Sequence, residues 1–386
     1  MTFVRIAFAS LVALALAGSA MADDSGNFIM SLGQDTTSAE HYTRTTKQTV
    51  VDQVGRSPRV LQRHYVYDFE KGEISHFSLT VMPPGGTTPT QTIEARRDGD
   101  SLRIENHTGS APVQTSAVML AKGTLLVSGA SPWSSYEGRI MEFMGGKSDS
   151  LRTTMYFLGA GQTDWLSFHK LGRDSIAIAN GHMDQFHVRV DKSGHVLGVL
   201  PIAGTAKFSA QRVQSLDVNA MAASFAAHEK EAGAMGVLSP RDTVNVSSVG
   251  GATLWVDYSR PGKRGRVIFG GVVPYGEVWR TGANAATQFK TDKPLDFSGT
   301  VVPAGMYTLW TIPTASGWKL VINSETGQWG TAHNAAKDLY TIDMMVSPLP
   351  QVVERFTISI TASAQGGTLN FDWDTTRASV AFAVKS

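Results

Sequence analysis

Leu61-Gln62-Arg63-His64-Tyr65-Val66-Tyr67-Asp68-Phe69 alternates along its length: Leu61, Tyr65, Tyr67 and Phe69 share one face of an extended chain, and Gln62, His64 and Asp68 share the other. Successive side chains of a strand point to opposite sides, so this period of two predicts a half-buried β-strand. Phe77, Leu79 and Val81 repeat the pattern, as do Phe186, Val188 and Val190. The last triplet runs into Asp191-Lys192-Ser193-Gly194, a hairpin turn, and then into the apolar run Val196 to Val199. From about residue 39 to 214 the chain consists of such short runs punctuated by Gly, Pro, Asp and Ser, which predicts an antiparallel β domain.

After Ser215 the period changes. Asp217 is placed to cap a helix in which Val218, Met221, Ala222 and Phe225 recur at helical spacing, with Gly233 and Gly236 as stops. Residues 236–242, with Ser239-Pro240-Arg241, read as a linker. From Thr243 the alternation returns in Leu254, Val256 and Tyr258, in Trp318, Leu320 and Ile322, in Phe356, Ile358 and Ile360, and in Leu369, Phe371 and Trp373. The expectation is an all-β chain of two antiparallel β domains, residues 23–235 and 243–386, joined by one helix and a short linker. The second is expected to be a β-sandwich or jelly roll.

Composition narrows the function classes. In 386 residues, 34 Lys and Arg face 33 Asp and Glu, so the chain lacks the basic excess of a nucleic-acid binder. A hydrophobic content of 42% is too high for a disordered chain. There is no cysteine, which excludes disulfides, a thiol nucleophile, zinc ribbons and iron-sulfur clusters. No cofactor is expected, and the oligomeric state is left open.

Arg5 precedes an apolar run from Ile6 to Ala17, and Ala20-Met21-Ala22 precedes Asp23-Asp24. A positive start, a short apolar core and an A-x-A site form the pattern of a secretory signal peptide over residues 1–22. The run is too short to span a membrane and no later stretch approaches the needed length, so a periplasmic or secreted protein without a membrane span is expected.

Enzyme motifs mostly fail at a residue their chemistry needs. His228-Glu229 opens like H-E-x-x-H, but Ala232 stands where the second histidine belongs. Ser167-Phe168-His169-Lys170 matches S-x-x-K, yet on a strand its Ser and Lys point to opposite faces. His182 and His187, with His169 and His195, are scattered, and Asp372 and Asp374 are spaced to share a strand face. A hydrolase drawing on Ser167, His169, His182 or His187 in the first domain is the alternative to a binding protein.

The densest local chemistry is Arg260-Pro261-Gly262-Lys263-Arg264-Gly265-Arg266, followed by Trp279-Arg280-Thr281-Gly282-Ala283-Asn284. Arginine forks recognise carboxylate or phosphate, and tryptophan faces stack on sugar rings. Arg260, Arg266, Trp279, Arg280, Asn284 and Trp329 are therefore candidates to bind a glycan-like or anionic small molecule. The competing reading is structural: tryptophans filling a small core and arginines tying loop carbonyls and neighbouring acids together.

Asp257-Tyr258-Ser259-Arg260-Pro261, Phe269-Gly270, Val273-Pro274-Tyr275-Gly276 and Val278-Trp279-Arg280-Thr281-Gly282-Ala283-Asn284 closely resemble the bacterial family called domain of unknown function 2911. Pro303-Ala304-Gly305-Met306-Tyr307, Gln328-Trp329-Gly330 and Val353-Glu354-Arg355-Phe356 continue the likeness in order over about the last 140 residues. The resemblance implies an extracytoplasmic β-sandwich-like domain and no particular activity. Members usually carry Glu after the motif's Asn, where this chain has Ala285.

Overall fold

The computed structural model describes residues 24–128, 131–181, 184–203 and 207–385; the expected leader and His182 lie outside them. The fold is all-β, with a sheet of fifteen strands, a sheet of nine, and two α-helices among the described residues. None of these helices is long and apolar enough to cross a membrane.

In the larger sheet the first and last strands, Asp24–Leu32 and Ser209–Val213, lie side by side. From this pair the sheet extends in chain order both ways, ending on Gln114–Met119 and Leu125–Val127. All its pairings are antiparallel except that of Leu125–Val127 with Ser150–Phe157. The alternation that predicted the strands sets their faces: Tyr65, Tyr67, Phe77, Leu79, Val81, Val188 and Val190 are all buried. Gln53 and Ile178, on strands far apart in the sheet order, line the same cavity. The sheet therefore curls around its core in the manner of a barrel.

The expectation of one helix needs correction. Besides α2 (Val218–Ala232) there is α1, Trp133–Gly145. Helix α1 buries Trp133, Glu137, Ile140 and Phe143, a helical stripe with a carboxylate in its middle. Helix α2 is as read: the Asp217 side chain accepts from the Asn219 and Ala220 amides at 2.9 Å. Its Val218, Ala222 and Phe225 pack on Ala39, Val54 and Val60, on the opposite side of the sheet from the main core.

The next strand, Arg241–Val249, begins within the residues read as a linker. In the second sheet the hairpin of Asp338–Ser363 and Gly366–Val384 breaks register near Pro348, Val353 and Thr357. Such bulges bend strands. Leu254, Phe289 and Leu320 from one half then share a core with Phe297, Phe371 and Phe382 from the other, a sandwich-like arrangement.

The two sheets touch at defined points. The Gln34 amide donates to Arg264 O at 3.1 Å, and Arg264 pairs with Asp35 at 2.5 Å. Gly33 makes this approach possible: at φ 63° it sits in the left-handed region, and a Cβ there would stand 2.1 Å from Arg264 O. The Gly236 amide donates to Pro58 O at 2.9 Å, so the linker is laid against the first sheet.

Candidate functional site

Between the sheets lies a cleft of about 890 Å³. Arg266, Trp279, Arg280 and Asn284 line it from the second sheet, and Ile202, Lys207 and Phe208 from the first. Four of the six candidate residues thus converge on one concavity.

The segment carrying three of them is a rigid loop. Trp279 exchanges backbone hydrogen bonds with Thr311 at 2.8 and 2.9 Å, its ring stacks on Trp373 at 5.8 Å, and its edge meets Phe356 at 5.0 Å. Thr281 is fully buried, and its Oγ1 lies within hydrogen-bond distance of the Trp279 carbonyl and of Thr311 Oγ1. Thr281 and Asn284 both have positive φ, which turns the chain twice and leaves Arg280 facing the cleft. The Arg280 stem lies on Gly330, where a Cβ would come within 2.0 Å of Arg280 Cδ.

Among the described residues Arg280 makes one side-chain hydrogen bond, from Nε to Gly282 O at 3.3 Å, and no ion pair within 4 Å. Burial lowers its guanidinium to about 10, with Asp184 acting in the opposite sense. Burial also lowers Lys207, which lies within the electrostatic reach of Asp184, Arg266, Arg280 and Glu277. Arg266 is lowered first by burial and then by Arg264. Three cations therefore face the cleft against one carboxylate, Glu277, with Asp184 within electrostatic reach from the neighbouring cavity.

The other cations of the basic run are tied structurally. Arg260 lies away from the cleft and donates to Phe356 O (3.1 Å), Asp242 (3.1 Å) and Thr357 Oγ1 (2.8 Å). Lys263 pairs with Asp374, and Arg264 with Asp35. Arg266 spends Nε and Nη2 on the carbonyls of Lys263 and Gly262, closing its own turn while lining the cleft. Trp329, 42% exposed, lines a neighbouring cavity instead, and its backbone bridges to Ala285.

Of the alternative hydrolase residues, the described Ser167, His169 and His187 do not line the cleft. Ser167 donates to Ala179 O at 3.4 Å and Lys170 reaches Gly146 O at 2.8 Å, while His169 is exposed. Glu229 accepts from the Val60 amide at 2.7 Å, which makes the half-motif a structural tie. Asp372 is held bidentately by Arg377 at 2.7 and 2.6 Å. Among the described residues no group of three or more His, Asp or Glu could hold a metal. Lys207 and Glu277 were not legible as site residues, since no motif surrounds them and only the packing of the two sheets brings them to one cleft.

No curated protein matches the chain. Among solved structures, it is similar to a β-barrel-like protein of domain of unknown function DUF1849 from Brucella abortus, at 11% identity, covering 49% of this chain and 94% of that one, with a TM-score of 0.33. The binding domain of botulinum neurotoxin DC, solved in complex with rat synaptotagmin II, aligns at 8% identity over 94% of this chain and 90% of that one, with a TM-score of 0.12. No family model matches the N-terminal part, whereas residues 239–382, which hold Trp279, Arg280 and Asn284, match the family described as protein of unknown function (DUF2911).

Proposed function

We propose that this is an exported, non-catalytic binding protein of the periplasm or the extracellular space, holding an anionic small molecule, organic or glycan-like, in the cleft between its two sheets. The observation that carries this reading is Arg280: a half-buried guanidinium facing a concavity, with one carbonyl as its side-chain hydrogen-bond partner among the described residues. A desolvated cation without a close counter-ion is costly to keep, and an anion entering the cleft would relieve that cost. Trp279, fixed by its stack on Trp373, offers a ring at the same wall.

A screen of organic anions and acidic glycans by calorimetry tests the reading. Arg280→Ala is expected to weaken the best hit by about tenfold to a hundredfold, the range for a hydrogen bond to a charged group. Arg280→Lys keeps the charge but loses the planar fork, and it is expected to fall in between. Stability should change by less than about 1 kcal/mol in both. A loss of several kcal/mol in both, with no hit for the parent, would instead make Arg280 a structural residue.

Export is tested separately by the intact mass of protein recovered from the cell envelope. The expected mass corresponds to a chain beginning at Asp23, after Ala20-Met21-Ala22. A mass that includes Met1 to Ala22 would end the export proposal.

A further inference from the structure

The cleft has a neighbour of different character. A second cavity, of about 490 Å³, opens within the curl of the larger sheet. Its wall is rich in large apolar side chains, among them Trp133, Tyr136, Phe186 and Trp329. Polar groups are also present, including Gln53, Arg63 and Asp184. Both volumes fall in the range of about 300 to 1,000 Å³ typical of small-molecule sites, and the interior of a curled sheet is a common place for one.

The two cavities adjoin. Ser57, Phe208 and Leu238 line both. Trp329 lines the apolar one, while the next residue, Gly330, lines the cationic one with the Arg280 stem against it. Ile202 and Val237, on the cleft wall, are 58% and 55% exposed. A ligand that only carried a charge would leave this apolar surface wet, and one that was only apolar would leave Arg280 without a counter-ion.

Building on the anion reading above, we infer that the ligand is an anionic amphiphile, its acidic head at Arg280, Arg266 and Lys207 and its hydrocarbon or aromatic part in the cavity behind Phe208 and Leu238. The junction residues are short or apolar, so a chain can pass from one space to the other without burying an unpaired charge. At the head site Arg280, Arg266 and Lys207 outnumber the carboxylates within their field, Asp184 and Glu277, which disfavours a cationic head there.

Titration calorimetry of the full mature chain with sodium butanoate, hexanoate, octanoate and decanoate below their micelle concentrations tests this. One molecule should bind per chain, and affinity should rise about threefold to fourfold per added methylene until the cavity is filled. Decylamine should bind more weakly than decanoate. Arg280→Ala should weaken every chain length by a similar factor, whereas Trp329→Ser should flatten the gradient and leave butanoate unchanged. A free acid and an acyl lipid share this chemistry; uptake of phosphatidylglycerol from vesicles of that lipid would assign the source to a membrane, and binding of monomeric decanoate without such uptake would assign it to a free acid. If the anions bind through Arg280 with no dependence on chain length, the amphiphile inference falls and the anion reading stands. If no carboxylate binds, or Arg280→Ala changes nothing, both fall.

Discussion

Glu137→Ala is expected to lower stability by about 3 to 5 kcal/mol, the cost of stranding buried charges that have lost their partner. Glu137 is fully buried on α1, inside the curl of the larger sheet. One carboxylate oxygen accepts from Arg44 Nη1 at 3.2 Å and from the Tyr42 hydroxyl, and the other accepts from Arg212 Nη2 and, at 2.7 Å, from the Val196 amide. Burial and the neighbouring Glu137 carboxylate together push the Tyr42 phenol well above its ordinary value, so it stays a donor at any working pH. The strands Asp35–Arg44, Val196–Ala203 and Ser209–Val213 and helix α1 are thus tied at one carboxylate. Removing it leaves Arg212 without a carboxylate, holding only the Val196 carbonyl and the Tyr42 hydroxyl, and the Val196 amide without an acceptor, while Arg44 keeps Asp24 and the Ser134 carbonyl. Glu137→Gln, which keeps one acceptor oxygen and the volume, should lose less. Denaturant midpoints of the three proteins decide it: a loss below about 1 kcal/mol in Glu137→Ala would mean that water reaches the cluster and the tie is dispensable.

That same carboxylate explains why α1 escaped the sequence reading. Trp133, Ile140 and Phe143 have helical spacing, but Glu137 interrupts their stripe, Pro132 precedes it, and Ser134, Ser135 and Gly138 weaken its propensity. Only partners at positions 42, 44, 196 and 212 make an acid acceptable there, and no local window contains them. The strands were legible because their evidence is local: alternation fixed which of Tyr65, Phe77 or Val188 faces inward, whatever the pairing. The site was legible by half. The dense cations of residues 260–266 and the Trp279 segment include residues that line the candidate cleft, yet composition could not separate Arg260 from Arg280. The difference lies in Phe356 and Thr357, nearly a hundred residues downstream, which take up the Arg260 guanidinium. Nor could it reveal the cleft, since Lys207 and Phe208 come from the other sheet.

A second buried acid should make stability depend on pH across the neutral range. Glu40 is fully buried and accepts from the first amides of α1, Ser134 at 2.8 Å and Trp133 at 3.2 Å, capping a helix whose own N-cap, Pro132, offers no side-chain acceptor. Burial raises its carboxyl from 4.5 to about 7, and the hydrogen bonds from Ser134, Trp133 and Gln53 pull against that rise without cancelling it. The folded chain therefore keeps a proton that the unfolded chain releases, so stability falls as pH rises. This contribution is complete below pH 4.5, declines by about 1.4 kcal/mol per unit through the interval up to about 7, and is gone above it, a total of about 3 kcal/mol. His64 and His76, both raised in the fold, act in the same direction at higher pH; His64 is raised by its hydrogen bond to Asp52, and His76 by bonds to Glu94 and Asp68 that outweigh burial. Glu40→Gln isolates the effect, because glutamine imitates the protonated acid, with Oε1 facing the Ser134 amide, and leaves both histidines in place. The difference in unfolding free energy between Glu40→Gln and the parent should be near constant below pH 4.5, grow in favour of the variant up to pH 7, and level off beyond. A difference independent of pH from 4 to 8 would show that Glu40 stays ionised as the anion of the α1 N-terminus, and that the helix amides outweigh its burial.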